Sequence, residues 1–195
     1  MFQATLSGLA VGSLFALIAV GYNLTYVVNR TVNFAHGQWV AVGSLFAFTF
    51  LVQWRVPLLV TFIGTAVALG LLGVVLERVG IRPMLGHSLS LGFIMSTLAM
   101  GIILENVALF WWGSTALYVP APLGERHFTL LGAGIYPQEA LVPVVTALMI
   151  GGLSLLYRTT RLGRALRATA ENPEAAQLMG INTKGMVAFA YGLAG

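Results

Sequence analysis

His36, His87 and His127 are the side chains best suited to hold a metal ion, yet each stands alone in the sequence. There is no His-Glu-x-x-His run and no second histidine within helical reach of any of them, so a zinc-hydrolase site has nothing to build on. No Gly-x-Ser-x-Gly elbow presents a nucleophile, and no phosphate loop with its lysine is present to hydrolyse ATP. The chain has no cysteine, which removes thiol and disulfide chemistry. The expectation is a protein with no catalytic residues, no metal and no cofactor, whose polar residues serve recognition and movement.

Those polar residues concentrate in one island, Arg158 to Lys184 (RTTRLGRALRATAENPEAAQLMGINTK), which carries half of the ten basic residues and lies between apolar runs. A short capped helix is written inside it. Asn172 is a good N-cap, Pro173 suits the first helical position, Glu174 lies at the positive end of the helix dipole, and Gly180 offers a left-handed stop. Pro173 to Met179 therefore reads as a stiff helical knob, preceded by a basic helix over about Thr160 to Ala170. A stiff knob transmits displacement, so docking is one reading; a solvated loop whose caps merely stabilise it is the other.

The elements that position this island are set by hydropathy. With 58% hydrophobic residues, 8% charged residues and a mean hydropathy of +0.88, the chain has too little polar surface to cover a water-soluble globule. Uncharged runs of about 20 residues are long enough to cross a hydrocarbon core. They predict spans over Met1–Asn29, Thr31–Trp54, Val56–Leu76, Pro83–Leu104 extended to about Trp112, and Ala140–Tyr157 extended back to about Pro137. After Lys184 the chain turns apolar again, which predicts the start of a sixth span and the N-terminal portion of a longer protein. The fold class expected is all-α: a single polytopic transmembrane bundle over residues 1–195, with about five complete spans. Its loops are an outer one at 113–138 and a cytoplasmic one at 158–184. Met1 to Val28 lacks the basic start and cleavage site of a signal peptide and reads as a retained span.

Basic residues flanking short spans stay in the cytoplasm. Placing the island inside puts Arg30, Arg78 and Arg82 inside with it and leaves Arg55 and Arg126 outside, so the N-terminus is expected outside. Trp54, Trp111 and Trp112 then fall at outer span ends, where interfacial anchors belong. Topology accounts for the net charge of +4 without a nucleic-acid partner.

Two polar features sit within the apolar part. Asn33-Phe34-Ala35-His36-Gly37 joins two long spans with almost no loop. Non-helical backbone near a membrane must be buried in protein or line a wet cavity, so this stretch reads either as a gate or path element or as a tight turn in which Asn33 and His36 satisfy backbone groups. Glu105, an acid inside the fourth predicted span, lies roughly 10 Å below the outer interface at about 1.5 Å per residue. It could meet a substrate amine or make a structural hydrogen bond. In the outer loop, HFTLLGAGIY reads as a small hairpin around Gly132 and Gly134, either docking a partner or capping the bundle. Small residues four apart (Gly8 with Gly12, Gly12 with Ala16, Gly64 with Ala68) have the spacing that lets membrane helices approach.

Three stretches of the chain, in order, resemble one family. Gly12 to Gly43 (GSLFALIAVGYNLTYVVNRTVNFAHGQWVAVG), Glu77 to Pro83 (ERVGIRP) and Thr160 to Asn182 (TRLGRALRATAENPEAAQLMGIN) are similar to permeases of branched-chain amino acid ABC transporters, the LivH type. This resemblance implies an ATPase-coupling loop that includes Arg164, Asn172, Pro173, Glu174, Ala175, Ala176 and Gly180, with Glu174-Ala175-Ala176 and Gly180 fitting the Glu-Ala-Ala-xxx-Gly pattern. It leaves Asn33, His36, Gly37 and Glu105 as candidates for the path or gate; this chain has Gln38 where family members often carry an acid. The implied partners are a second, LivM-like permease subunit, two cytoplasmic ABC ATPase subunits, a periplasmic amino-acid-binding protein and a small-molecule substrate, in a bacterial inner membrane. Close relatives that import urea or short amides, and a non-transporting membrane scaffold or fragment, stay open as alternatives.

Overall fold

The computed structural model describes residues 2–30, 32–84, 90–120, 128–130 and 133–195. Among them are eight helices: α1 (Phe2–Asn29), α2 (His36–Phe48), α3 (Leu58–Leu76), α4 (Ser90–Trp112), α5 (Pro137–Thr159), α6 (Arg161–Glu171), α7 (Pro173–Leu178) and α8 (Thr183–Ala194). The predicted all-α membrane bundle is the observed class. Two strands accompany the helices, β1 (Phe128–Leu130) and β2 (Ala133–Ile135), paired antiparallel with Phe128 opposite Ile135. They are the arms of the predicted outer hairpin; Gly132 lies outside the described residues, as do Arg126, His127 and His87.

Among the described residues, four segments are long and apolar enough to cross a membrane: Ala4–Asn29, Leu58–Met84, Leu91–Trp112 and Glu139–Thr159. The second predicted span, Thr31–Trp54, differs, because its helix begins only at His36 and its α-helical part ends at Phe48. Its start is also deep. The His36 imidazole reaches the backbone carbonyl of Ile18, about three turns before the inner end of α1, and the Gln38 side chain lies over Gly101, midway along α4. The stretch between α1 and α2 therefore climbs back toward the middle of the bundle, and α2 runs only from there to the outer side.

Two π-turns extend the helices. At Thr49–Gln53 the Trp54 N–H donates to the Thr49 carbonyl at 2.9 Å, while the Trp112 indole N–H donates to the Thr49 hydroxyl at 2.8 Å. Phe46, Phe50, Trp54, Trp111 and Trp112 form linked ring contacts there, an aromatic belt at the expected outer interface. At Glu77–Ile81 a second π-turn continues α3, and the Ser96 hydroxyl of α4 donates to the Gly80 carbonyl at 2.5 Å.

The interior is organised by α8, which lies between α1 and α3. Gly70 and Gly73, three apart on one face of α3, make the contact possible: a Cβ on Gly73 would collide with the Tyr191 carbonyl, and one on Gly70 would come 3.0 Å from the Gly192 carbonyl. Tyr191 is fully buried and belongs to a core with Trp39, Leu76, Phe93, Leu104 and Val187. The close approach expected at Gly8 and Gly12 is not seen, since a Cβ at either position meets nothing within 4 Å; Gly64 lies beside the Phe50 ring. Sequence spacing marks small residues, but only the path of α8 decides which of them must be small.

Replacing Gly73 with leucine should cost about 1–3 kcal/mol by overpacking against backbone that cannot yield, whereas Gly12→Ala should stay within about 0.5 kcal/mol. Thermal stability of the two variants in detergent, followed by size-exclusion, checks the contrast.

Candidate functional site

The cytoplasmic end is built from local signals. Thr160 caps α6, its hydroxyl accepting the Gly163 N–H at 3.0 Å, and Gly163 packs so tightly on the backbone of Leu156 and Tyr157 that a side chain would not fit. That contact folds α6 sharply back on α5. Leu166 and Thr169 follow Gly163 into the interior at helical spacing, leaving Arg161, Arg164 and Arg167 outside. Arg164 is exposed and donates to the Thr159 carbonyl near the end of α5 at 3.4 Å.

The Asn172 side chain accepts the Ala175 N–H at 2.9 Å, with Pro173 at the first helical position and Glu174 exposed in the first turn. Gly180 adopts φ +82°, its N–H donating to the Gln177 carbonyl and that of Ile181 to the Ala176 carbonyl. This double closure is a Schellman stop. The knob helix spans Pro173–Leu178, with Met179 as its C-cap. Ala175 is exposed and Ala176 is buried, so the helix rests on one alanine and shows its remaining faces outward. Leu178 and Met179 are 89% and 82% exposed, an apolar pair at the tip of a polar knob that sequence reasoning did not single out. The signal was present: two large apolar residues directly before a glycine stop have no helix face left to bury them.

The knob is tied inward. The Gln177 amide donates to the Thr183 hydroxyl at 2.8 Å, joining α7 to the first residue of α8. The Arg30 guanidinium donates to the Ala170 carbonyl at 3.2 Å, joining the end of α6 to the start of the break between α1 and α2.

At that break, Asn33 is buried and its side chain accepts the Ala35 N–H at 3.1 Å, an Asx turn that closes the backbone before α2 begins. His36 is buried edge-on to Tyr22 and beside Trp39, close enough to Gly21 that a Cβ there would come 2.9 Å from the ring. Trp39 meets Tyr191 edge-to-face at 6.0 Å, and the Asn29 amide donates to the Tyr191 hydroxyl at 3.0 Å. Asn33 and His36 thus lie in one buried cluster with Asn29, Trp39 and Tyr191. Within it the Asn29 Oδ1, Asn33 Nδ2, His36 Nδ1 and Trp39 Nε1 atoms have no partner among the described residues. Gly37 is exposed and faces away from the cluster into a groove between α2 and α4.

That groove, about 340 Å³, brings together Gly37, Gln38 and Glu105, walled by apolar residues and reaching Gly113 at its outer end. Glu105 is exposed on α4. Among the described residues the fully buried acid is instead Glu77, whose two oxygens receive the Arg82 Nε and Nη2 at 3.2 Å each. Sequence placed Glu77 at a span end; it continues the buried stripe of Gly73 and Leu76, which α8 turns into an interior face. The structure does not bring the knob residues and the path candidates into contact; Arg30 and α8 connect them. Among the described residues, no three His, Asp or Glu side chains converge as metal ligands would.

The family model for the branched-chain amino acid transport system permease component matches residues 4–195. The chain is 35% identical to the high-affinity branched-chain amino acid transport system permease protein BraD of Pseudomonas aeruginosa and 32% identical to LivH of Escherichia coli K12, in each case over 97% of this chain. It is 29% identical to a probable branched-chain amino acid transport permease LivH of Methanocaldococcus jannaschii over 94% of this chain. It spans 65% of the length of the first two relatives and 59% of the third. No solved structure matches.

Removing Arg82 leaves the Glu77 carboxylate buried without its partner, so Arg82→Met should destabilise the bundle by about 3 kcal/mol. Adding Glu77→Gln to it should recover a good part of that loss. A double-mutant cycle on detergent unfolding midpoints measures the coupling.

Proposed function

The chain belongs to the branched-chain amino acid transport permease family, and from that premise we propose that it forms a membrane subunit of an ABC importer that carries branched-chain amino acids across the inner membrane. The relatives are permease components of transport systems, and the energy for transport comes here from partner ATPases. The further partners are a second permease subunit and a periplasmic amino-acid-binding protein.

The observation that carries the coupling half of this reading is the knob. Pro173–Leu178 is capped at both ends, rests on Ala176 and presents Glu174, Leu178 and Met179 outward. In this mechanism the ATPase pair grips that helix, with the apolar tip in a pocket and Glu174 on its rim. Displacement passes by Gln177–Thr183 into α8 and by Arg30–Ala170 into the break at Asn33–His36. The polar cluster at the break then changes its packing as the path opens, since its unpartnered donors and acceptors leave it a second set of hydrogen bonds to adopt. Substrate released by the binding protein moves inward past α2 without any covalent step.

Glu174 contributes only about 0.3–1 kcal/mol to its helix through the dipole, so its replacement tests docking more than folding. Uptake of labelled leucine by the complete transporter, with labelled urea in parallel, is expected for leucine alone. Glu174→Arg and Leu178→Asp should abolish that uptake while the subunit still reaches the membrane. Leucine uptake at the unaltered rate in both variants would remove the docking role, and uptake of urea alone would move the substrate to amides. His36→Ala should slow uptake without preventing assembly; unchanged uptake would leave the break with a purely structural role.

A further inference from the structure

The charges of α6 run against its own dipole. The helix opens with Arg161 and Arg164 and no acid in its first turn, and it closes on Glu171 with no base in its last turn. Cations are unfavourable at the positive end of a helix and acids at the negative end, so helix stability does not account for this order. Arg158, Arg161, Arg164 and Arg167 are all exposed, and none of them forms an ion pair among the described residues. Four guanidinium groups so close in the chain repel one another unless an anion from outside lies among them.

The fold brings these groups to one level. The apolar segment of α5 ends at Thr159, with Arg158 in its last turn. Gly163 rests on the backbone of Leu156 and Tyr157, and the Arg164 guanidinium donates to the Thr159 carbonyl at 3.4 Å. The first turn of α6 is therefore held beside the last turn of the span, at the depth where hydrocarbon gives way to headgroups. Arg161 and Arg167 are about 9 Å apart by helical rise, close enough to share one or two phosphates, which the guanidinium fork matches in shape. Leu155, one turn before Arg158, and Leu162, next to Arg161, add exposed aliphatic surface. The acids Glu171 and Glu174 come later, toward the knob, and both are exposed. A protein covering the whole loop would meet both signs of charge, whereas a membrane surface meets the arginine end alone.

We propose that Arg158, Arg161, Arg164 and Arg167 form a binding surface for the phosphate groups of anionic phospholipids in the leaflet at which α5 ends, with acyl chains along Leu155 and Leu162. Bound lipid neutralises the basic end of α6 and fixes that helix to the bilayer surface, while α7 beyond it stays free for its own partner. The surface is separate from the knob and stands whichever solute the subunit carries. An acidic patch of a partner ATPase is the competing occupant, and the test separates the two.

The chain has no cysteine, so Ser154→Cys, at an exposed position one turn before Arg158, gives this subunit a single thiol for a fluorophore. The labelled subunit is assembled with cysteine-free partners into the complete transporter, in nanodiscs of phosphatidylcholine. Phosphatidylglycerol carrying a nitroxide near its glycerol should quench the label at a concentration about five-fold or more below that needed with nitroxide-labelled phosphatidylcholine. High salt should weaken the preference. Arg164→Gln should lose part of it, replacement of Arg161, Arg164 and Arg167 together by glutamine should abolish it, and their replacement by lysine should keep most of it. Equal quenching by the two lipids overturns the surface. Quenching by neither overturns it as well, and loss of the ATPases from the triple glutamine variant on size-exclusion then assigns the arginines to that partner.

Discussion

A backbone N–H or C=O left unpaired in hydrocarbon costs several kcal/mol, and the interruption between α1 and α2 places such groups near the middle of the bundle. Much of the interior is a response to that constraint. Asn33 turns its side chain back on its own backbone to accept one N–H. The remaining polar atoms are walled off by Tyr22, Trp39 and Tyr191, with Asn29 holding the Tyr191 hydroxyl. Tyr191 can reach this place only because α8 lies against α3 at glycine distance. The break, the aromatic wall and the Gly70–Gly73 contact are therefore one structural solution, and changing any of them changes the others.

The same arrangement joins the two ends of the molecule. A bundle of independently stable helices would absorb movement at the cytoplasmic face within its loops. Here the knob is pinned to α8, α8 fills the centre, and Arg30 ties α6 to the segment leading into the break. Packed interiors tend to switch between discrete arrangements and to resist continuous deformation, which is the behaviour that the proposed coupling of knob and break calls for.

How much of this could be read from the chain depended on the range of the interactions. The knob was legible because Asn172, Pro173 and Gly180 act on neighbours within a few residues, and a cap functions whatever the tertiary setting. The apolar spans were legible because hydrocarbon thickness sets their length. The depth of the break was not, since Thr31–Trp54 has the composition of a crossing and only contacts with Ile18 and Gly101 show that its helix starts late. Glu77 and Tyr191 were missed for a related reason. Glu77 follows Gly73 and Leu76 on a face of α3 that only α8 makes interior, and the burial of a tyrosine near the end of α8 depends on two helices more than a hundred residues earlier. Glu105 was found as an unusual acid, but its place in one groove with Gly37 and Gln38 needed the fold.

The central position of α8 also has a consequence for biosynthesis. α3 ends at Leu76 and α8 begins at Thr183, so at about 5–20 residues per second the ribosome needs roughly 5–20 s to supply the helix that belongs between α1 and α3. During that interval the glycine face of α3 and the buried amides of Asn29 and Asn33 have no protein cover. Lipid cannot satisfy those amides, so the early helices must stay beside the insertion machinery, or keep water among them, until α8 arrives to cover them.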